Sequence, residues 1–499
     1  MTFNSLAFLV FYPVVLLLYF VLPKRLRPIT LLISSYFFYA YSQFDLLFLI
    51  LGTTIVSYIS AIVIEKSESA AIRKTLLTVT LLVSLGVLFF YKYFNFLFGS
   101  AVGIASLFGA ELSSLELNLI LPVGISFYTF QTLSYVIDVY REDIPAEKSF
   151  VFYALFVSFF PQLVAGPIER PQNLLPQLKA VSGKATDSVT GECLEGYRFD
   201  KDNALKGAKH MMVGFFKKIV VADLISVYVN AIYNKPEGAT AIGVIIATCL
   251  FAVQIYCDFS GYTDIAIGCA RIMGIRLMKN FDHPYLSATI KEFWSRWHIS
   301  LSSWFKDYLY IPLGGSRCKR WRHLLNLMIV FLVSGLWHGA AWTFVVWGAL
   351  HGFYQIVGSL TKPHRDRLIR RIGLSEDSFV ILWGRRALTF ALVSFAWIFF
   401  RANSLSDAML LISKLGDFSG GITGAAKTMG FDLVGILMTA LSIGSLITLE
   451  RLLVYEDKKD GSSYLVRGGA FIYFVWIIML CWLFLLSKSM MSTFIYFRF

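Results

Sequence analysis

Charged residues are scarce in this sequence. Of its 499 residues only 15% are Asp, Glu, Lys or Arg, whereas 57% are hydrophobic and 16% are aromatic. Soluble domains carry about 25% charged residues, so this composition excludes an ordinary soluble protein. It predicts an all-α, polytopic integral membrane protein that contacts the lipid bilayer, with a single membrane domain covering residues 1–499.

Cysteine pairs are also missing. The six cysteines form no Cys-x-x-Cys motif and no Cys/His cluster at zinc spacing, so neither a structural metal nor a disulfide framework is expected. The formal net charge is +13, but the basic residues lie in short loops beside apolar runs, where they are typical signals of membrane topology. Nucleic acid is therefore not an expected partner.

Long apolar runs, by contrast, follow one another closely. Each is about long enough to cross the ~30 Å hydrocarbon layer of a membrane as a helix. The first four extend from Leu6 to Leu22, Pro28 to Phe44, Phe48 to Ile64 and Leu76 to Phe90. We expect roughly eleven transmembrane helices, together with re-entrant or amphipathic helices.

The first apolar run lacks the sequence features of a signal peptide. It has no basic stretch before it and no small-residue cleavage site, so it is expected to remain as a transmembrane helix. Basic residues follow the first and third runs, which places the N-terminus outside the cytoplasm. A last span from about Gly469 to Leu486 would return the C-terminus to that side.

The longest polar stretch runs from about residue 169 to residue 209. It contains several prolines and glycines among serines, lysines and acids, which predicts a cytoplasmic loop with little core of its own. Gly166 and Pro167 end the apolar run before it. Glu169 and Arg170 could form an ion pair at the mouth of that run.

A second unusual segment covers about residues 289–309. Its apolar and aromatic residues recur at spacings of three and four, with polar residues mostly between them, which predicts an amphipathic helix. Thr289 and Glu292 have the spacing of a capping box at its start.

One histidine lies within an apolar stretch. His338 belongs to VSGLWHGAAW, residues 333–342, inside the apolar region from Leu324 to about Leu350. An ionisable side chain at membrane depth is costly, which makes it a candidate functional residue. Imidazole exchanges a proton near neutral pH, so His338 is a candidate general base; a hydrogen-bonded structural histidine is the alternative. Gly335 and Gly339 have little bulk, so a ligand or another backbone could approach the ring closely. Small residues at that spacing also promote ordinary helix packing, which is the interpretation we favour.

A second histidine, His298, falls near the aromatic face of the amphipathic segment. Trp297 and its aromatic neighbours could exclude water there, while Arg296 or Lys306 reaches a phosphate or a carboxylate. An interfacial aromatic belt with a structural histidine is the alternative. The other histidines lie in or beside loops or at span ends and are assigned no catalytic role: His210, His283, His323, His351 and His364.

Two acids lie within one apolar run. Asp258 and Asp264 belong to QIYCDFSGYTDIAIG, residues 254–268. Carboxylates at membrane depth need partners or water, so these two are candidates for lining a polar cavity, orienting a histidine or capping a helix broken at Gly261. Hydrogen bonds that hold helices together are the structural alternative.

Six segments of the chain occur in the order found in one family of membrane enzymes. They are LPVGISFYTFQ (121–131), FPQLVAGPI (160–168), CDFSGYTD (257–264), FWSRWHISLS (293–302), DYLYIPLGG (307–315) and GLWHG (335–339). With these segments the sequence resembles the membrane-bound O-acyltransferase (MBOAT) superfamily, most closely the bacterial branch typified by the alginate O-acetylation membrane protein.

The resemblance implies a reaction and roles for individual residues. His338 corresponds to the family's catalytic histidine, as base or acetyl relay, and His298 to its usual companion. Helices would surround a central tunnel in the bacterial inner membrane, with acetyl-CoA as cytoplasmic donor and no permanently bound cofactor. An exported polysaccharide would be acetylated through a partner extracytoplasmic acetyltransferase. The candidates for lining the tunnel are Asp258, Asp264, Trp297, Trp337, Ser302 and Gln131, and those for binding the donor are Arg296 and Lys306.

Two other functions stay open on the sequence. One is D-alanyl transfer in teichoic acid modification, which uses a carrier protein as donor. The other is secondary transport, because transporters also place ionisable residues in broken helices near the membrane midplane. A transporter would move its substrate without consuming a thioester.

Overall fold

The computed structural model describes residues 1–42, 44–109, 115–183, 185–186, 193–194, 197–371, 373, 375 and 378–458. Helices dominate these residues, which confirms the helical class. In chain order they are α1 (Leu6–Val21), α2 (Arg27–Ala40), α3 (Leu47–Lys66), α4 (Ala70–Leu88), α5 (Phe94–Leu107), α6 (Ile125–Tyr140), α7 (Phe150–Ser158), α8 (Phe160–Leu163), α9 (Pro171–Ala180), α10 (Lys201–Phe215), α11 (Asp223–Tyr233), α12 (Ala241–Ile272), α13 (Ile290–Arg296), α14 (Ile299–Phe305), α15 (Arg320–His338), α16 (Trp342–Arg371), α17 (Phe379–Arg401), α18 (Leu405–Lys414), α19 (Gly421–Met429) and α20 (Leu433–Lys458).

Shorter elements connect some of these helices. Among the described residues π-helical segments cover Phe89–Tyr93, Phe216–Ala222 and Lys306–Tyr310. A two-residue strand β1 (Ala185–Thr186) pairs antiparallel with β2 (Cys193–Leu194).

Five helical stretches within the described residues are long and apolar enough to cross a membrane. They are Leu47–Lys66, Ala70–Leu107, Ala241–Ile272, Phe379–Arg401 and Leu433–Arg451. The larger number of roughly eleven spans is not confirmed, because some apolar runs fold as shorter helices: α2 has 14 residues and is about 21 Å long, below the ~30 Å of the hydrocarbon layer. The span predicted from Gly469 to Leu486 lies outside the described residues.

The chain divides into two compact units. The first contains Met1–Met212 and Tyr262–Met278, and the second contains Val213–Gly261 and the described residues from Lys279 onward. The first unit thus holds α1 to most of α10 and the end of α12, whereas the second holds the end of α10, α11, the start of α12 and the helices α13 to α20.

Within the first unit, tyrosine hydroxyls fix α1 against the end of α12. The hydroxyl of Tyr12 donates to the carbonyl oxygen of Cys269 (2.9 Å), and that of Tyr19 donates to the carbonyl oxygen of Met273 (2.8 Å). A buried hydroxyl needs a partner, so these two bonds specify how the helices pack as well as stabilising them.

Within the second unit, α15 and α16 form a closely packed antiparallel hairpin. A Cβ atom on Gly335 would lie 2.3 Å from the carbonyl oxygen of Phe344, and one on Gly348 would lie 2.3 Å from that of Phe331. No other residue fits at either position without moving the backbone. The packing interpretation of Gly335 is therefore confirmed.

The described part of the polar segment 169–209 contains helices that a loop would not have. It contains α9, which begins at Pro171, where a missing N–H costs nothing. Leu174 and Leu178 of α9 are fully buried because their spacing of four puts them on one face.

The prediction of one amphipathic helix over 289–309 is wrong. The capping box at its start is confirmed, since Thr289 Oγ1 accepts from the backbone N–H of Glu292 (3.1 Å). The segment then breaks at His298 into α13 and α14, because backbone groups at the break bond elsewhere: the N–H of Ile299 donates to the carbonyl oxygen of Asn280 (2.9 Å).

The expectation that a helix breaks at Gly261 is also wrong, because α12 runs without interruption from Ala241 to Ile272. Gly261 instead lets a neighbouring segment approach: a Cβ atom there would lie 2.8 Å from the carbonyl oxygen of Gly214.

Candidate active site

His338 is the last residue of α15. The apolar stretch from Leu324 to Leu350 is two helices and not one span, because α15 ends at His338 and α16 begins at Trp342. Gly339 directly after the histidine has extended backbone, and a Cβ atom on it would lie 2.1 Å from the ring of Phe344. The break therefore needs glycine at this position, and it fixes His338 at a helix end with 2% of its surface exposed.

Aromatic rings surround the imidazole of His338. The ring centroids of Trp337 and Trp347 both lie 5.0 Å from it, and that of Phe400 lies 5.5 Å from it. The centroid of the His298 ring lies 6.5 Å away. The structure thus brings together the two histidines that the sequence singled out, with Trp337 in contact with both rings.

His298 lies at the break between α13 and α14. Its φ is +45°, in the left-handed region that residues other than glycine seldom adopt. Such strained backbone persists only where the surroundings hold it in place, and it clusters at functional sites. His298 is fully buried, which confirms that its side chain points inward.

The ring of His298 is oriented by Asn280. Nδ1 of His298 lies 3.1 Å from Oδ1 of Asn280, and that oxygen also accepts from the backbone N–H (3.2 Å) and the hydroxyl (2.9 Å) of Ser300. An atom that accepts from a backbone N–H must be the amide oxygen, so Nδ1 of His298 is the donor. In the neutral ring Nε2 therefore carries the lone pair and is the atom able to accept a proton.

Asn280 is a residue that sequence reasoning missed. It is fully buried, yet it lies in the polar stretch that follows α12, which looks like an ordinary connection. A buried asparagine is costly unless it is hydrogen-bonded. Its only sequence signal is its position among polar residues, which is too weak to have identified it.

His351 was placed wrongly at a span end. It lies inside α16 and is fully buried. The indole N–H of Trp294 donates to its Nδ1 at 3.2 Å, and its ring centroid lies 5.0 Å from that of Trp347. The signal that could have found it is its position directly after the apolar region that contains His338, thirteen residues further along the chain.

The other candidates of the amphipathic segment divide into buried and exposed residues. Trp297 is fully buried, and the hydroxyl of half-buried Ser302 donates to its carbonyl oxygen (3.3 Å). Half-buried Arg296 is paired with Glu292 (2.7 Å), and Lys306 is exposed. The two basic residues therefore lie where a solvated anionic group could reach them, whereas Trp297 belongs to the interior.

Asp258 belongs to a buried ion network. Nζ of Lys218 lies 2.6 Å from Oδ1 of Asp258 and 3.0 Å from Oδ1 of Asp223. Both carboxylates are almost completely buried, so the lysine supplies the opposite charge that they require. The next residue, Phe259, places its ring 4.7 Å from that of His298. Asp258 thus helps to hold α12, which packs on His298 through Phe259. This agrees with the alternative that Asp258 holds helices together.

Gln131 and Asp264 belong to the first unit. Gln131 is buried and donates its amide N–H to the carbonyl oxygen of Phe156 (2.6 Å), while Asp264 is half-buried on α12. Glu169 is buried and accepts from the backbone N–H of Met278 (2.5 Å) and from the amide of Asn173 (2.6 Å).

The pair of histidines offers a defined chemistry. A neutral imidazole can take a proton from a hydroxyl, and buried rings around it exclude water that would hydrolyse an activated acyl group. Within the described residues no group of three His, Cys, Asp or Glu side chains is placed to hold a metal ion. The arrangement fits general-base or nucleophilic acyl transfer.

Comparisons with known proteins agree with this chemistry. A family model described as MBOAT, membrane-bound O-acyltransferase family, matches residues 36–401. A probable alginate O-acetylase AlgI of Pseudomonas syringae is 36% identical, over 94% of this chain and 86% of that protein. A peptidoglycan O-acetyltransferase of Helicobacter pylori is 33% identical, over 84% of this chain and 80% of that protein.

A more distant relative is also present. A teichoic acid D-alanyltransferase of Bacillus subtilis is 29% identical, over 47% of this chain and 58% of that protein. The matched region 36–401 contains both histidines of the site and most of the chain. The chain therefore belongs to the membrane-bound O-acyltransferase family and is an O-acyltransferase.

Proposed function

We propose that this enzyme transfers acetyl groups from acetyl-CoA in the cytoplasm for the O-acetylation of an exported polysaccharide such as alginate. The observation that carries the proposal is the pair of buried rings of His298 and His338, whose centroids lie 6.5 Å apart. The extensive similarity to an alginate O-acetylase and a peptidoglycan O-acetyltransferase supports acetyl as the acyl group.

In the proposed reaction His338 is the general base. It takes the proton of an acceptor hydroxyl while the hydroxyl oxygen attacks the carbonyl carbon of the acetyl thioester. The carbon–sulfur bond breaks, the thiolate of coenzyme A leaves, and the proton returns from His338 to that sulfur. A transient acetyl-imidazole on His338 is the two-step version of the same exchange.

His298 helps to hold the thioester. Its Nδ1–H is donated to Asn280, so Nε2 of the neutral ring can only accept. The thioester itself offers no donor, so Nε2 binds an amide N–H of the pantetheine arm that carries it. Arg296 and Lys306 bind the phosphates of coenzyme A, since both are basic and accessible. Trp297 and Trp337 shield the reacting groups from water.

The proposal includes a path across a bacterial cytoplasmic membrane. Acetyl-CoA cannot cross a bilayer, whereas exported polysaccharides are modified outside, so a central tunnel must deliver the acetyl group. The enzyme spans the membrane several times with its N-terminus outside. The immediate acceptor is a hydroxyl of a partner extracytoplasmic acetyltransferase, which then modifies the polysaccharide.

The test compares the O-acetyl content of the exported polysaccharide in cells with equal amounts of wild type, His338→Ala, His298→Ala or His364→Ala. His364 is an exposed histidine of α16 and serves as the control. We expect His338→Ala to lose acetylation about 10²- to 10⁴-fold, the usual contribution of a general base, and His364→Ala to keep it. Unchanged acetylation in His338→Ala would remove the mechanism.

The donor is tested separately with purified enzyme. Radiolabelled acetyl-CoA and a D-alanyl carrier protein are offered in parallel, and the label transferred to the acceptor is counted. Transfer from acetyl-CoA alone supports the proposal. Transfer from the carrier protein alone would assign the D-alanyl reaction that the Bacillus subtilis relative's name describes.

A further inference from the structure

A third buried histidine beside the site has a defined tautomer. The indole nitrogen of Trp294 can only donate, and it lies 3.2 Å from Nδ1 of His351, so Nδ1 accepts. The neutral ring of His351 therefore carries its hydrogen on Nε2. His351 is fully buried, and Nε2 has no hydrogen-bond partner among the described residues.

Trp347 presents a second donor of the same kind. It is fully buried, and its Nε1–H also has no hydrogen-bond partner within the part of the chain described. Residues 347 and 351 are one turn apart on α16, and their ring centroids are 5.0 Å apart at an angle of 70°. The ring of Trp347 also lies 5.0 Å from that of His338.

Two buried donors without partners on one helical turn call for an acceptor. A buried donor that stays unsatisfied destabilises the fold, and native interiors contain few of them. A buried water typically makes about three hydrogen bonds and has to donate as well as accept. The rings of Trp397 and Phe400, which also pack on Trp347, carry no acceptor atom for its N–H. The proposed base, His338, lies beside the same ring, at 5.0 Å between centroids, so an oxygen held by these two donors belongs to the reacting groups. A carbonyl oxygen, which only accepts, matches two donors.

We propose that Trp347 Nε1–H and His351 Nε2–H together bind the carbonyl oxygen of the acyl group that is transferred. The inference rests on the proposed acyl transfer and adds the residues that stabilise its transition state. When the acceptor attacks, negative charge builds up on this oxygen, and donors that are already in place stabilise it more than they stabilise the ground state. Trp294 is the positioning residue, because its bond sets the tautomer of His351.

The first test uses two matched substitutions of His351. The amide nitrogen of Gln reaches the place of Nε2, so His351→Gln keeps a donor there, whereas His351→Phe does not. Both variants lose the Nδ1 atom that accepts from Trp294. The difference between their kcat values therefore measures the effect of the Nε2–H group alone. We expect kcat for acetyl transfer to fall about 10- to 100-fold more in His351→Phe, with KM for acetyl-CoA within about 3-fold.

The second test compares Trp347→Phe with Trp397→Phe. Each removes one indole N–H from the same aromatic cluster, but that of Trp397 already donates to the hydroxyl of Tyr285 (3.2 Å). We expect Trp347→Phe to lower kcat about 10- to 100-fold and Trp397→Phe to change it less than about 3-fold. Thermal unfolding of each variant confirms that the protein compared is folded.

The outcomes separate this inference from the proposed function. If the wild type is active and His351→Gln and His351→Phe have equal kcat values, this inference is overturned and the proposed function stands. Equal losses in Trp347→Phe and Trp397→Phe would also overturn it, because packing and not hydrogen bonding would then explain the effect. A folded wild type that transfers no acyl group from any thioester would overturn both proposals.

Discussion

Nδ1 of His298 donates a hydrogen bond to the side-chain oxygen of Asn280, 3.1 Å away. The same oxygen accepts two bonds from Ser300, so one buried amide fixes both the tautomer of the histidine and the start of α14. Asn280 orients His298 as outer residues orient metal-binding histidines. Removing such an orienting residue typically lowers activity or metal affinity about 10- to 100-fold.

We therefore predict that Asn280→Ala lowers the rate of acetyl transfer by about 10- to 100-fold, because His298 loses its fixed tautomer. The matched control is Asn326→Ala, which removes another fully buried asparagine whose amide donates to the carbonyl oxygens of Leu313 (3.1 Å) and Gly315 (3.3 Å). That control should lose about 1–3 kcal/mol of stability but keep its rate per folded molecule. Equal rates in the two variants, measured with purified enzyme, would contradict this role of Asn280.

The hairpin that presents His338 should be sensitive to a single methyl group. Gly335→Ala places a Cβ atom 2.3 Å from the carbonyl oxygen of Phe344, so α15 and α16 must separate. We expect a loss of about 1–3 kcal/mol, the usual cost of overpacking, and a displaced His338 with lower activity. Gly358→Ala, on α16 with open space around it, should instead raise stability by about 0.4–1 kcal/mol. Thermal unfolding of both variants measures the difference, and similar midpoints would contradict the prediction.

Local patterns in the sequence predicted local structure well. The apolar run from Phe48 to Ile64 folds as α3, and the capping box at Thr289 forms. Both depend on residues within one helix, whose spacing is visible in the sequence.

The break at His298 and the tautomer of His351 were not predictable in this way. The first depends on Asn280, 18 positions away, and the second on Trp294, 57 positions away. Periodicity reports which residues share a helix face, and it does not report which distant side chain takes over a backbone or ring hydrogen bond. The six family segments identified His338 and His298, but none of them contains Asn280 or His351.

Glu169 should make the stability of the protein depend on pH. Burial raises the pKa of its carboxyl from 4.5 to about 7, although the N–H groups of Met278 and Asn173 and the nearby charge of Arg170 act in the opposite direction. Because this folded-state pKa is above the unfolded-state value, the stabilising contribution is complete below about pH 4.5 and is lost as the pH rises through about 7.

Wild type should therefore lose stability relative to Glu169→Gln between about pH 5 and pH 8, since the glutamine stays neutral throughout. The measurement is the difference between the two unfolding temperatures across this range. Parallel curves would show that the carboxyl does not change its charge there.

The cation of Lys218 should be essential to the second unit. It lies between Asp258 (2.6 Å) and Asp223 (3.0 Å), and Lys218→Met would leave two buried carboxylates with like charge. Breaking a buried ion pair in this way typically costs 3–5 kcal/mol, so we expect a loss of about that size. The control, Lys279→Met, breaks an exposed pair with Asp282 (2.8 Å) and should cost less than about 1 kcal/mol.

A double variant separates charge from packing in this network. Lys218→Met combined with Asp258→Asn removes one buried negative charge along with the lysine, so it should be more stable than Lys218→Met alone. The coupling between the two positions should reach about 1 kcal/mol or more, because the side chains are in direct contact. Unfolding by SDS in mixed micelles gives the free energies for the full cycle. If the two substitutions simply add, the lysine stabilises the unit through its hydrocarbon chain and not through its charge.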